Sequence, residues 1–328
     1  MTGSGELISD VGEFGLIARI DAALDGQEAR GVHVGLGDDA AVVGASGGRV
    51  VVSTDMLVEG RHFRRDWSTG ADIGARAAAQ NLIDVAVMGA RTTSLVVALG
   101  LPADLHVEWV TDFFAGLRAE AQEQGATIVG GDLVRSDRVV ISVTAIGEMT
   151  AESPIVRSGA EPGDVIAVAG RLGWAAAGLS ILSRGFRTPR ALVDAHRRPE
   201  PPYAAAAAAS AAGATSMIDV SDGLVADLGH IARASQVAIA IDPTLIEVAE
   251  PVATAAAAFN ADPMVWVLTG GEDHAVAATF PTSVELPQGF TAVGVVAEVA
   301  DVELLDAPGV TVGGRVPRGS GGHDHFTG

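Results

Sequence analysis

The sequence predicts two α/β domains, and three observations lead to that reading. The 328 residues suffice for two domains of ordinary size with full hydrophobic cores. Apolar runs of strand length alternate with longer, helically periodic stretches along the chain. A segment dense in turn formers, Ser153 to Asp164 (SPIVRSGAEPGD), interrupts that pattern near its middle. The first domain is therefore expected over residues 1–150 and the second over 151–328.

In the first domain, Glu13 to Leu24 has apolar residues at helical spacing and predicts an N-terminal helix. Val32 to Val43 and Arg49 to Thr54 read as strands joined by a Gly-rich turn, Gly44 to Gly48. Ala71 to Met88 is Ala-rich and apolar on nearly every face, which predicts a buried helix. Thr93 to Leu101 reads as a strand stopped by Pro102, and Glu108 to Gln124 as an amphipathic helix. Ala126 to Val129 is a short strand running into the turn Gly130-Gly131-Asp132, and Arg138 to Glu148 is a further strand.

In the second domain, Val165 to Ala169 is a strand and Trp174 to Ser183 a helix. Arg187 to Pro202 reads as a polar, Pro-punctuated connector. Tyr203 to Ala212 is Ala-rich, which favours helix and close packing. Met217 to Val220 is a strand leading through Ser221-Asp222-Gly223 into a helix, Leu224 to Ala234. Val237 to Ile241, Ala275 to Phe280 and Thr291 to Val296 are later strands. The tail from Val312 is Gly-rich and expected to be partly flexible.

Composition narrows the functional classes. Lys plus Arg number 21 against 41 Asp plus Glu, a net charge of −20, so the chain should repel nucleic acid and anionic membranes. Phosphate substrates would then need cations to bridge them to the protein's own carboxylates. No stretch offers the roughly 18 apolar residues of a membrane span. The start, MTGSGELISD, lacks a basic segment before an apolar core, so no secretory signal is expected. With no cysteine, disulfides, thiolate metal sites and a cysteine nucleophile are excluded, and a cytoplasmic protein is expected.

Chemistry concentrates in acidic clusters where apolar runs meet turns. Gly35 to Phe63 carries two: Asp38-Asp39 on a glycine-framed turn, and Asp55 directly after Ser53 and Thr54. Asp84 lies inside the Ala-rich helix, where neither a cap nor a turn explains it. Asp132, the run Asp219-Val220-Ser221-Asp222-Gly223, and Gly270-Gly271-Glu272-Asp273 follow the same pattern. Singly, such acids are commonly turn formers or helix caps, as Ser-Asp-Gly before a helix suggests for Asp222. Their recurrence favours a carboxylate-lined site for a hard cation such as Mg²⁺. Ser53 and Thr54 could add hydroxyl oxygens or simply end a strand. Arg157 could clamp a phosphate, His62 could orient a substrate, and Arg61, Arg64 and Arg65 form one basic knot. Neither a Walker lysine motif nor a kinase-type Gly-rich loop is present.

The ordered set GLGDDAAV, STDMLVEGRHF, NLIDVAVMGA, IVGGD, RSGAEPGD, DVSDGLVADLGHI and GGEDHAV resembles the thiamine-monophosphate kinase family. The motifs cover almost the whole chain in the family's order and spacing. That family is part of a wider group with aminoimidazole ribonucleotide synthetase, selenophosphate synthetase and the hydrogenase maturation carbamoyl dehydratase. The resemblance implies a two-domain aminoimidazole ribonucleotide synthetase-like fold whose N-terminal strands pair across a homodimer. It implies phosphorylation of thiamine monophosphate by ATP, with the C-terminal domain closing over the nucleotide. Asp39, Thr54, Asp55, Asp84, Asp132 and Asp219 would hold several Mg²⁺ ions, assisted by Ser53 and Asp222. Gly131, Asp132, Arg157 and Ser221 would contact ATP, and His62 and Glu272 the thiamine monophosphate. The place of the family's C-terminal stacking aromatic falls on Ser320, leaving Phe326 or His323 as substitutes. No side chain is expected to act as a nucleophile or strong base, because the acceptor is an ionised phosphate oxygen. Two alternatives stand beside this reading. One is another ATP-using enzyme of the group with a different acceptor, although the missing cysteine counts against two of its members. The other is an inactive nucleotide-binding regulator, against which the full set of acids argues.

Overall fold

The computed structural model of the chain describes residues 32–34, 41–45, 48–150, 152–302, 304–317 and 321–323. The helix expected over Glu13 to Leu24, the Asp38-Asp39 turn, Ser320 and Phe326 lie outside the described residues.

The first sheet comprises β1 (Val32–Val34), β2 (Ala41–Ala45), β3 (Gly48–Val58), β4 (Ala90–Leu101), β5 (Thr127–Arg135) and β6 (Val140–Met149). Its spatial order is β1-β2-β3-β6-β4-β5. Neighbours are antiparallel except β4 and β5, which run parallel and are joined by a helical crossover. Helices α1 (Gly70–Val87) and α2 (Val107–Glu123) cover one face. Val51, Leu57, Val97 and Ile141 pack there against Ile73, Leu82, Phe113 and Leu117.

The second sheet comprises β7 (Val165–Ala169), β8 (Ser216–Val220), β9 (Ala238–Ile241), β10 (Ala275–Phe280), β11 (Phe290–Ala297) and β12 (Gly309–Val312), in the order β12-β9-β11-β7-β10-β8. Six helices accompany it: α3 (Trp174–Ser183), α4 (Arg190–Arg197), α5 (Tyr203–Ala212), α6 (Leu224–Ser235), α7 (Glu250–Ala258) and α8 (Pro263–Thr269). On one face Leu224, Leu228 and Ile231 of α6 pack on Val168, Ile239 and Val293. On the other, alanines 205, 206 and 209 of α5 share a cluster with Val276 and Phe280, and with Ile83 and Val87 of α1.

Helix α1 is thus buried from both sides, as its apolar circumference predicts. A reciprocal capping box between Thr69 and Asp72 starts it. Its burial brings a helix of the first half against β8 of the second, which is what lets the two sheets share one site.

Two local expectations fail for identifiable reasons. The expected polar connector between Arg187 and Pro202 contains helix α4, whose Leu192, Val193, Ala195 and His196 form a buried stripe amid arginines. The expected turn at Gly130-Gly131-Asp132 is the middle of β5, paired with β4 as far as Arg135. A Cβ on residue 131 would lie 1.9 Å from the Val97 carbonyl oxygen, so this glycine permits the strands' close approach rather than a reversal. No helix of the described residues is long and apolar enough to cross a membrane.

Candidate active site

Strand β3 alternates, with Val51, Ser53, Asp55 and Leu57 turned to α1 and Thr54 and Met56 to the opposite, open face. On α1, Gln80, Asn81 and Asp84 fall on the side facing Ser53 and Asp55. Ser53 Oγ donates to Asp84 Oδ2 at 2.7 Å. The Asp55 amide donates to Asn81 Oδ1 at 3.1 Å, and Gln80 Nε2 donates to Asp55 Oδ2 at 3.2 Å. Burial pushes the Asp55 carboxyl above its usual range, and the nearby Asp219 carboxylate adds to the shift.

The second half supplies the facing wall from two adjacent segments. Asp219 is buried at the end of β8. Beyond it, the amides of Asp222 and Gly223 donate to Asp227 Oδ2 at 3.0 and 2.9 Å. Asp227, not Asp222, therefore holds the entry to α6. Burial and the nearby Asp222 and Asp219 carboxylates raise its carboxyl well above the ordinary range. The turn Gly270 to His274 lies against this segment. A Cβ on residue 271 would approach the Ser221 carbonyl oxygen to 2.2 Å, so only glycine fits there. The Glu272 amide then donates to Ser221 at 2.7 Å. Glu272 and His274 both adopt left-handed conformations, with φ of 71° and 50°. Such strain persists only where the surroundings hold it.

Each side chain of that turn reaches a different element. Glu272 pairs with the buried Arg76 of α1, which also donates to the His196 carbonyl at 3.3 Å. Burial alone would raise the Glu272 carboxyl, but the Arg76 guanidinium brings it below its usual value. Asp273 Oδ1 accepts from the Ala175 amide at 2.8 Å, at the start of α3. Its burial lifts the carboxyl to about 7. His274 Nδ1 meets Asp219 Oδ2 at 2.9 Å.

Two cavities meet here. One, of about 270 Å³, is lined by Ser53, Thr54, Asp55, Asp84, Arg157, Asp219, Ser221 and Asp222, with Gln80 and His274. The other, of about 580 Å³, is lined by Arg61, Phe63, Arg64, Trp67, Arg76 and Leu179 among others. His62, Ser221, Glu272 and His323 border both. His62 Nδ1 accepts from the Val58 amide at 2.9 Å, so a neutral ring carries its proton on Nε2. The Arg64 guanidinium lies 4.6 Å from the centroid of the Trp67 ring.

Ten of the residues singled out from sequence thus converge: Ser53, Thr54, Asp55, His62, Asp84, Arg157, Asp219, Ser221, Asp222 and Glu272. Thr54 does so from the far side of its strand, where its hydroxyl donates to the Val143 carbonyl at 3.0 Å. Gly131 and Asp132 are not in this group. They lie exposed on β5, and Asp132 joins the cross-strand row Asp132, Ala98, Ser142 and Met56 on the open face of the first sheet. Three strand spacings separate the ends of that row, roughly 14 Å. Asp39 and Ser320 fall outside the described residues. Sequence reasoning missed Arg76, Gln80, Asn81, Asp227 and His274. A signal existed for two of them, since Gln80 and Asn81 precede Asp84 by four and three residues on a helix.

Residues 37–149 match the family described as AIR synthase related protein, N-terminal domain, and residues 161–307 match AIR synthase related protein, C-terminal domain. A thiamine-monophosphate kinase of Mycobacterium tuberculosis is 45% identical over 321 residues, 97% of this chain and 93% of the relative. The chain belongs to the thiamine-monophosphate kinase family. A second member, from Corynebacterium glutamicum, is 38% identical over 98% of this chain and 96% of its own length. The solved structure AaThiL complexed with AMPPCP and TMP is 31% identical, with a TM-score of 0.89 over 99% of this chain and 100% of that one. The wider kinship expected of a family member is visible in both halves, each matching its own AIR synthase related domain.

Proposed function

We infer that this chain phosphorylates thiamine monophosphate with ATP, giving thiamine diphosphate and ADP. The observation that carries the reading is the pair of adjoining cavities. One is walled by carboxylates, the other by arginines and aromatic rings, and His62 and Glu272 stand between them. The family's named activity and the relative's ATP analogue and TMP agree with it.

The donor set suits Mg²⁺. Asp55, Asp84, Asp219 and Asp222 offer hard oxygen ligands in one cavity, and burial together with the neighbouring Asp219 carboxylate raises the Asp55 carboxyl, a combination that a bound cation would relieve. Bound there, Mg²⁺ would neutralise the anions that must meet and align the phosphoryl group for in-line attack. Ser53 orients Asp84, and Gln80 and Asn81 hold Asp55 from two directions. Arg157 and Ser221 take the nucleotide phosphates. His62 and Glu272 take the acceptor, Glu272 being held by Arg76. Asp39, Thr54, Gly131, Asp132 and Ser320 remain proposed as ligands or contacts, and His323, on the border of both cavities, is the nearer candidate for the thiamine ring.

The assembly we propose is a homodimer paired through the first sheet. Its open face exposes Met56 and Val134, each more than half accessible, and carries Asp132 and Thr54. Apolar exposure of that kind on one sheet face suits a self-complementary interface. The domain boundary is proposed within Ser153 to Asp164, between the last strand of the first sheet and the first of the second. A cytoplasmic location is proposed from the biosynthetic activity.

The test is a product assay with ATP, Mg²⁺ and thiamine monophosphate. Thiamine diphosphate should form with equimolar ADP, and EDTA should abolish it. ATP turnover without diphosphate formation would favour another acceptor.

A further inference from the structure

His274 lines the acid cavity and is tightly held there. The ring is buried, its backbone is held in a left-handed conformation, and its amide continues the β8–β10 ladder by donating to the Val220 carbonyl at 3.0 Å. In that ladder Val276 faces Asp219, and His274, just before the strand, reaches the Asp219 side chain. An ionised carboxylate only accepts, so the hydrogen of the 2.9 Å contact sits on Nδ1 and is donated to Asp219 Oδ2. The other ring nitrogen, Nε2, is buried without a hydrogen-bond partner, in a side chain that lines the cavity. A strained backbone and a buried, half-satisfied ring are costly features for a residue that merely fills space.

We propose that His274 is a positioning residue: it fixes the Asp219 carboxylate so that its remaining oxygen faces the cation and phosphates of the acid cavity. The inference rests on the kinase reading above and assigns no bond making to the imidazole. Asp219 comes from the second half of the chain, whereas Asp55 and Asp84 come from the first. A carboxylate free to rotate at the end of β8 would hold the shared cation less well, even with every ligand present. Groups that orient metal ligands are typically worth about 10- to 100-fold in affinity or activity.

Three variants test this: His274→Ala, His274→Phe and His274→Asn. Alanine removes the ring, phenylalanine keeps volume without a donor, and asparagine keeps an N–H donor near the position of Nδ1. Two quantities are read, the Mg²⁺ concentration giving half-maximal turnover and the Mg²⁺-induced rise in melting temperature without nucleotide. Alanine and phenylalanine should each raise the first about tenfold and shrink the second, and asparagine should restore most of both. A purely structural role would lower the metal-free melting temperature and leave both Mg²⁺ readouts near the parent's. That result overturns the proposal, as does an asparagine variant no better than phenylalanine. A parent protein whose melting temperature ignores Mg²⁺ also overturns it. If the parent shows the Mg²⁺ shift but forms no thiamine diphosphate, the kinase reading fails while the melting series still decides the role of His274.

Discussion

At the residue scale, the proposed site works by holding carboxylates together against their own repulsion. Asp55 shows the cost most directly, because burial and Asp219 both disfavour its charge. Asp55→Asn should therefore lower turnover on the order of a hundredfold while leaving the metal-free melting temperature no lower than the parent's. Asp84→Asn should lose a similar share of activity, since Ser53 is aligned on its carboxylate. Full activity in either folded variant would remove that residue from the metal site. The acceptor side calls for a different signature. His62→Ala and Glu272→Gln should raise the KM for thiamine monophosphate about tenfold and leave that for ATP nearly unchanged. Glutamine is the better choice at 272 because it leaves the buried Arg76 an acceptor. A defect mainly on the ATP side would reverse the two assignments.

At the element scale, the turn Gly270 to His274 ties α1, α3 and β8 together, and Asp273 is its link to α3. The carboxyl of Asp273 is raised to about 7, above its unfolded value, so the folded state binds the extra proton. Its contribution to stability is full below about pH 4 and is lost as pH rises through about 7. Asp273→Asn keeps an oxygen for the Ala175 amide but cannot ionise. The fall in melting temperature between pH 5 and pH 8 should therefore be smaller in this variant, and an equal fall would show that other groups set the slope. Sequence reading found this turn's glycines and acids but not its purpose, because the partners lie far along the chain. The same division runs through the fold. Helices α1, α3 and α5 and strands β7 and β10 were legible, since long apolar or Ala-rich runs specify their own element. Helix α4 was not, because its buried stripe is broken up by arginines and preceded by proline. Helices α7 and α8 and strand β12 are short, with too few residues for periodicity to speak. The face on which an acid would point was equally hidden. Asp55 and Asp132 look alike in sequence, yet strand parity and pairing send them to opposite faces of one sheet.

At the scale of the whole molecule, a chain of net charge −20 must bring two phosphorylated substrates to one place, and the layout bears on how the phosphoryl group travels. A covalent route needs a nucleophile with a partner that activates it. The chain has no cysteine. Among the described residues, the Asp55 carboxylate accepts from Gln80, that of Asp84 from Ser53 and that of Asp219 from His274, so each is held as an acceptor. His62 has its Nδ1 occupied by the Val58 amide, and His274 has its Nδ1 committed to Asp219. Because the two cavities share His62, Ser221, Glu272 and His323 in their walls, substrates held in each would lie side by side, with no carrier needed between them. Direct transfer is therefore predicted. Incubating the protein with Mg²⁺, ATP and labelled ADP, without thiamine monophosphate, should give negligible label in ATP, because transfer requires both substrates. Rapid exchange, together with label from γ-labelled ATP retained on the protein, would instead mean that an aspartate or histidine of this cavity carries the phosphoryl group between the two sites.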